Sequence, residues 1–143
     1  NDIVRMISKT NRNEQIVYQS GVSVYNADTK RVISKQFLTY SQMQKYMKKA
    51  RIVILHGGPA SIFHSLSIGK KPWVFPRQQK YHEHINDHQV YFCQYLEKLK
   101  LIQYIRNDTN IVNVLTNTPK TSVKITISQK LLRYLNEFTE TIS

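Results

Sequence analysis

Two loops of this sequence carry the residue types that could do chemistry. The first reads HGGPAS (residues 56–61) and follows an apolar run, residues 52–55. Glycines permit tight turns and close approach of a ligand to the backbone, and proline suits the first position of a helix. A helix starting directly after such a turn leaves free N–H groups and the positive end of its dipole, which favour an anion such as phosphate. The alternative, glycines that serve only the packing of the turn, stays open.

The second loop reads PRQQKYHEHINDHQ (residues 76–89) and follows the next predicted strand. It holds three histidines and two carboxylates: His82, Glu83, His84, Asp87 and His88. These are zinc-ligand types, but their spacing is not one used by known zinc sites, so we expect no metal. Because both loops leave the carboxyl ends of successive predicted parallel strands, they should line one crevice.

Other catalytic patterns are weak or missing. Neither the dinucleotide fingerprint GxGxxG nor the phosphate loop GxxxxGK[ST] occurs. Ser61 and Cys93 could act as nucleophiles, but neither lies in a GxSxG turn, and Cys93 falls on a helical face that we expect to be buried. The residues alone therefore assign no catalytic group.

Strand and helix patterns alternate along the chain. We predict helices over 2–9, 41–50, 85–100 and 128–142, a helix opening at Pro59 and closing before Gly69, and a short helix capped by Asp108 or Thr109 and ending at Leu115. Strands are predicted over 15–20, 32–38, 52–55, 73–75 and 102–105, and Thr39 or Ser41 should cap the helix over 41–50. This order predicts an α/β, Rossmann-like parallel sheet flanked by helices in one domain, residues 1–143, with residues 116–124 as a turn-rich connector.

Composition restricts the class of protein. The chain has 143 residues, 41% of them hydrophobic, which is typical of a globular domain, and no apolar run is long enough to span a membrane. One cysteine cannot form an internal disulfide, so we expect a cytoplasmic protein. The net charge of +12 favours acidic partners. The lysines are scattered along the chain rather than clustered. The aromatic residues do not alternate with basic ones as they do in an RNA-binding sheet. A non-catalytic basic module that binds nucleic acid or an anionic surface remains the alternative.

Residues 56–89, HGGPASIFHSLSIGKKPWVFPRQQKYHEHINDHQ, resemble the C-terminal, nucleotide-sugar-binding half of glycosyltransferase family 28. The pattern is closest to the small soluble catalytic subunit of two-subunit enzymes that make exopolysaccharide, capsule and dolichol-linked N-acetylglucosamine. The similarity extends upstream through QFLTYSQMQKYMKKARIVI (residues 36–54). It implies a GT-B C-terminal-type domain.

The resemblance also implies three groups of binding residues. The diphosphate would be held by His56, Gly57, Gly58, Ala60 and Ser61. The nucleoside would be bordered by Phe37, Leu38, Met43, His64 and Arg77. The donor sugar would be contacted by Glu83, His84, Asp87, His88 and Gln89.

By the same resemblance, the chain is expected to be a subunit of an inverting, metal-independent glycosyltransferase that needs no cofactor. It would transfer a sugar from UDP to a lipid-linked acceptor in surface polysaccharide biosynthesis. A membrane-anchored partner subunit would hold it at the inner face of the membrane, and nucleic acid would not be a partner.

The sequence departs from the family pattern at two places. The family opens with an apolar strand and a glycine turn of the type VTVGTH, and these 143 residues begin beyond that pattern. The family also carries a ribose-binding carboxylate where this chain has His64. An imidazole can hydrogen-bond a hydroxyl but cannot accept two bonds as a carboxylate does. A non-catalytic subunit that retained the fold is therefore a third interpretation.

Overall fold

The computed structural model describes residues 2–8, 13–22, 30–77, 88–106 and 109–118. The helices are α1 (Asp2–Ser8), α2 (Tyr40–Lys49), α3 (Pro59–Ser67), α4 (His88–Lys98) and α5 (Ile111–Asn117). The strands are β1 (Ile16–Gln19), β2 (Val32–Lys35), β3 (Ile54–His56), β4 (Trp73–Phe75) and β5 (Gln103–Tyr104). The predicted helix over 128–142, most of its connector and residues 85–87 lie outside the described residues.

The described strands form two parallel sheets, which confirms the predicted α/β class. β1 pairs with β2, and β3, β4 and β5 pair in that order. Parallel pairing requires a crossover between neighbours, and α3 and α4 supply the crossovers of the three-stranded sheet. The two sheets are not hydrogen-bonded to each other through any described strand.

Helices cover both faces of the three-stranded sheet. Successive side chains of a strand point to opposite faces, and β4 shows this with two buried neighbours. Val74 packs with the α3 and α4 residues Ile62 and Phe92, whereas Trp73 packs with α5. Both faces of the sheet are therefore packed against helices, so a ligand could reach the sheet only at its edges.

Caps define the ends of α2 and α5. Thr39 caps α2: its Oγ1 accepts from the Gln42 N–H at 3.2 Å, and Gln42 Oε1 accepts from the Thr39 N–H at 3.0 Å. This reciprocal pair is a capping box, and it selects Thr39 over Ser41. The cap of α5 is Asn110, whose Oδ1 accepts from Asn113 N–H at 3.1 Å. The prediction of Asp108 or Thr109 was wrong.

α3 begins and ends where the sequence predicted. Pro59 occupies its first turn, and Gly69 has φ of 76° after its last residue. The Gly69 N–H donates to Leu66 O at 2.9 Å, and the Lys70 N–H donates to Ser65 O at 3.0 Å. This pair of bonds is the Schellman arrangement, which requires a left-handed residue.

α4 ends in the same arrangement but without glycine. Lys100 has φ of 60° and donates its N–H to Glu97 O, while Leu101 N–H donates to Leu96 O. A side chain with a Cβ is strained in this region. Relative to Lys100→Ala, which loses the same charge, Lys100→Gly should raise the free energy of unfolding by about 1 kcal/mol. Urea denaturation of the two variants measures the difference, and equal midpoints would contradict a strained Lys100.

Among the described residues, no helix is both long enough and apolar enough to cross a bilayer.

Candidate functional site

The glycine turn after β3 brings the two chemistry-bearing loops together. Gly57 is buried, and a Cβ at this position would lie 2.9 Å from both Pro76 Cα and Gln89 Oε1. Gln89 Oε1 also accepts a hydrogen bond from the Arg77 N–H at 3.1 Å. The start and end of the second loop therefore meet the first loop at one place, as the parallel order predicted. Of the predicted donor-sugar residues, Glu83, His84 and Asp87 lie outside the described residues.

His88 and Gln89 are the two predicted donor-sugar residues that lie among the described residues. His88 begins α4 and is half-buried. Gln89 follows it, and the side-chain oxygen Oε1 of Gln89 faces Gly57 and the Arg77 N–H. Gln89 thus has a positioning role that the sequence did not indicate, while its contact with a sugar stays a prediction.

The first turn of α3 presents uncapped backbone donors. Gly58 is the N-cap and supplies no side chain, and Pro59 follows. The N–H groups of Ala60 and Ser61 have no acceptor within the helix, as is general for the first turn of an α-helix. Ala60 is exposed. The Ser61 hydroxyl donates its one proton to Gly58 O at 3.0 Å, so an anion at this turn would be met by the Ser61 N–H rather than by the hydroxyl proton. This turn can hold an anion through backbone donors and the helix dipole.

His56 lies against the same turn as a neutral imidazole. Its Nδ1 accepts from the Gly58 N–H at 3.1 Å. Partial burial, and then the positive charge of Arg77, lower the pKa of His56. The charge of Arg77 therefore acts electrostatically on His56.

The lowered pKa of His56 predicts that acid destabilises the fold. The unfolded chain binds the proton more readily than the folded one, so the free energy of unfolding should fall as the pH drops below the ordinary histidine value of 6.5. His56→Asn keeps an acceptor for the Gly58 N–H but does not titrate. Denaturation at pH 7.5 and pH 5.5 should therefore show a smaller loss of unfolding free energy in the variant than in the unaltered protein. An equal loss in the two proteins would show that His56 is not the cause.

Two of the predicted nucleoside residues, Phe37 and Leu38, lie between β2 and α2. Phe37 is 66% exposed, so its ring is available for contact with a flat base. Leu38 is half-buried, and its N–H donates to Gln19 Oε1 at 3.1 Å. Met43, one turn into α2, is also half-buried. Their contact with a base stays a prediction.

One cavity collects residues from both predicted groups. It measures 1040 Å³ and is lined in part by Leu38 and Met43 of the nucleoside group and by His56 and Ser61 of the diphosphate group. The structure thus brings four of these side chains to one surface, although they come from separate parts of the sequence.

His64 is turned toward a residue that the sequence analysis missed. Its Nδ1 lies 3.3 Å from the Tyr40 hydroxyl, and the two rings meet edge to face with centroids 4.9 Å apart. Its Nε2 is buried and has no hydrogen-bond partner among the described residues. One nitrogen of His64 therefore faces Tyr40 and the other faces protein. Tyr40, the first residue of α2, gave no sequence signal because this contact depends on the tertiary fold.

Cys93 is excluded as a nucleophile. It is fully buried in the core with Phe92 and Leu96. Burial, and then the charge of Glu97, raise the pKa of its thiol to about 12. The thiolate is the reactive form, and it is scarce at neutral pH.

No group of three metal-ligating side chains occurs among the described residues. Of the five metal candidates in the second loop, only His88 is described.

The fold and this site together define an α/β domain with an uncapped helix start at the carboxyl edge of a parallel sheet. A family model described as the glycosyltransferase family 28 C-terminal domain matches residues 2–133. The chain belongs to this family and is a glycosyltransferase domain. No curated protein and no solved structure matched the chain.

Proposed function

We propose that this domain binds a UDP-sugar and provides the donor site of an inverting hexosyltransferase. One observation carries the proposal: the start of α3 at Gly58 has no side-chain cap and lies next to His56, on which the positive charge of Arg77 acts. Phe37 supplies an exposed ring on the nucleoside side. A pyrophosphate would fit at the start of α3, and a flat base would fit against the exposed ring of Phe37.

The same groups can assist departure of UDP. When the sugar–phosphate bond breaks, negative charge builds on the leaving diphosphate, and preorganised donors directed at that charge stabilise the transition state. Helix-dipole and N–H contacts contribute about 0.3 to 2 kcal/mol each. The N–H groups of Ala60 and Ser61 together with Arg77 would do electrostatically what a metal ion does elsewhere, so we propose metal-independent transfer.

His64 fits a different role from the carboxylate that the family places there. With Nδ1 on the Tyr40 hydroxyl and Nε2 buried, it would contact ribose only after a change of side-chain rotamer. We propose that the ribose is bordered by the Tyr40–His64 pair rather than gripped by two acceptor oxygens.

The acceptor and location belong to the same proposal. A lipid-linked acceptor in surface polysaccharide biosynthesis would be held by a membrane-anchored partner subunit, and this domain would work at the inner face of the membrane. The net charge of +12 supports work near anionic lipid.

Calorimetric titration tests the donor site. UDP, UDP-glucose, UDP-galactose and UDP-N-acetylglucosamine should each saturate at one equivalent, and UDP should bind more tightly than ADP or GDP. The matched test for a basic nucleic-acid module is a single-stranded oligonucleotide titrated at rising salt. Binding of the oligonucleotide that falls steeply with salt, together with no saturable binding of UDP, would replace the transferase proposal by the basic-module alternative.

A further inference from the structure

Three of the four residues at the start of α3, residues 58–61, carry a backbone N–H, and one of these three N–H groups already has an acceptor. Pro59 has no N–H, which leaves the N–H groups of Gly58, Ala60 and Ser61. The Gly58 N–H donates to His56 Nδ1 at 3.1 Å. His56 therefore takes up one of the three donors that this turn could offer to an anion.

The position of the His56 ring depends on the missing side chain of Gly58. A Cβ added to Gly58 would lie 2.5 Å from His56 Cε1 and 3.1 Å from His56 Nδ1. Any other residue at position 58 would therefore force the ring to move. The imidazole fills the space that a side chain would take, in direct contact with the turn, so a change in the protonation of His56 acts on the turn itself.

The hydrogen bond between His56 and Gly58 fixes which ring nitrogen carries a proton. Nδ1 accepts from the amide and therefore carries none, so the neutral ring has its proton on Nε2. An imidazolium carries a proton on both nitrogens and accepts at neither. Protonation would therefore replace this bond by two donors, the Nδ1–H and the Gly58 N–H, that face each other. An anionic oxygen placed next to both donors would accept from each of them.

The described charges around His56 are mostly positive. Arg77 follows β4 and acts on His56 directly, while His64 on α3 and His88 at the start of α4 are the titratable groups of the two neighbouring helices. The charged residues on the wall of the cavity that His56 also lines are Glu14, Arg31, Lys45, Lys49 and Arg51. The only carboxylate of this set, Glu14, is bound by Arg51, with Nη2 2.7 Å from Oε2. These surroundings favour a neutral His56, and an anion bound at the turn would favour an imidazolium instead.

We infer that binding of a sugar-nucleotide pyrophosphate at the start of α3 is coupled to the uptake of a proton by His56 from the solvent, an inference that rests on the proposed function. In the complex, the imidazolium donates to the anion. The Gly58 N–H, released from Nδ1, joins the N–H groups of Ala60 and Ser61 as a third backbone donor. His56 is thus a neutral acceptor that blocks part of the site before binding and a cationic donor after it.

Proton uptake fixes the direction of the pH dependence. Because the complex binds more protons than the free protein, donor affinity should rise as the pH falls toward the pKa of His56 in the free protein, which is below the ordinary value of 6.5. UDP-glucose is the probe, since its pyrophosphate is esterified at both ends, whereas the terminal phosphate of UDP itself titrates at a pKa of about 6. We expect UDP-glucose to bind at least threefold more tightly at pH 6.0 than at pH 8.0.

Titration calorimetry counts the protons. UDP-glucose is titrated into the 143-residue chain at pH 6.8 in PIPES and in Bis-Tris, two buffers that release different heats when they supply a proton. We expect uptake of at least about 0.3 proton per site. His56→Asn keeps an acceptor for the Gly58 N–H but does not titrate, so it should lose both the uptake and the pH dependence, whereas His88→Asn should keep both. Histidine ring ¹⁵N shifts should show Nδ1 of His56 unprotonated in the free protein at pH 6.8 and protonated in the complex.

Two results would overturn the inference: UDP-glucose that binds without proton uptake, or an uptake that is undiminished in His56→Asn. Either result would leave the donor site in place, because the same titration measures the binding itself. Absence of UDP-glucose binding at both pH 6.0 and pH 8.0 would instead reject the proposed function, and the inference with it.

Discussion

Replacing Gly58 by aspartate should lower UDP affinity at least a hundredfold while the fold is retained. Gly58 has φ of −70° and ψ of 127° as the N-cap of α3, a conformation that aspartate adopts at helix starts. Its carboxylate would accept from the N–H groups of the first turn, which are the donors proposed for the pyrophosphate. It would also repel the ligand, since like charges about 4 Å apart near a surface cost up to about 4 kcal/mol.

Two further variants at position 58 separate the effect of a negative charge from the effect of a side chain that occupies the backbone N–H donors. Gly58→Asn caps the helix without charge and should lose about tenfold in affinity by competing for the same donors. Gly58→Ala offers neither cap nor charge and should lose least. Its Cβ, at 2.5 Å from His56 Cε1, meets the end of a side chain that can rotate away. Calorimetry with UDP ranks the three, and an unchanged affinity in Gly58→Asp would exclude this turn as the anion site.

Replacing Gly57 by alanine should destabilise the domain by roughly 1 to 3 kcal/mol, because it inserts a methyl group into a packed site. The added Cβ would lie 2.9 Å from Pro76 Cα, which is backbone, and 2.9 Å from Gln89 Oε1. Backbone at this distance cannot rotate away, so the two loops must separate and the Gln89–Arg77 bond must lengthen.

The neighbouring Gly58→Ala variant is the matched control for Gly57→Ala. Both add one methyl group to the same turn, but only Gly57→Ala meets backbone. Urea denaturation should show a clearly lower midpoint for Gly57→Ala than for Gly58→Ala. Equal midpoints would show that the loops are not held together through Gly57.

The sequence predicted elements whose signals are local. Pro59 and Gly69 marked the ends of α3 because a helix start tolerates proline and a left-handed C-terminal residue favours glycine. Thr39 marked the start of α2 for the same kind of reason. Lys100 could not be predicted as a left-handed residue, since nothing in its chemistry favours that conformation, and the cap of α5 moved to Asn110 because neighbouring polar residues were equally suited to it.

Contacts made by the tertiary fold were beyond the sequence. The packing of Gln89 against Gly57 and the contact of Tyr40 with His64 join residues more than 20 positions apart. Periodicity predicts which side of an element is buried but not which side chain lies opposite it.

The proposed donor site depends on one contact, that of the backbone N–H groups at the start of α3 with the pyrophosphate of a sugar nucleotide. Amide chemical shifts of Ala60 and Ser61, followed by ¹⁵N-resolved NMR during titration with UDP and with uridine, test it most directly. We predict large, saturating shifts of both amides with UDP and small shifts with uridine, which lacks the phosphates. Shifts of equal size with the two ligands, or none at these amides while UDP binds elsewhere, would contradict the claim.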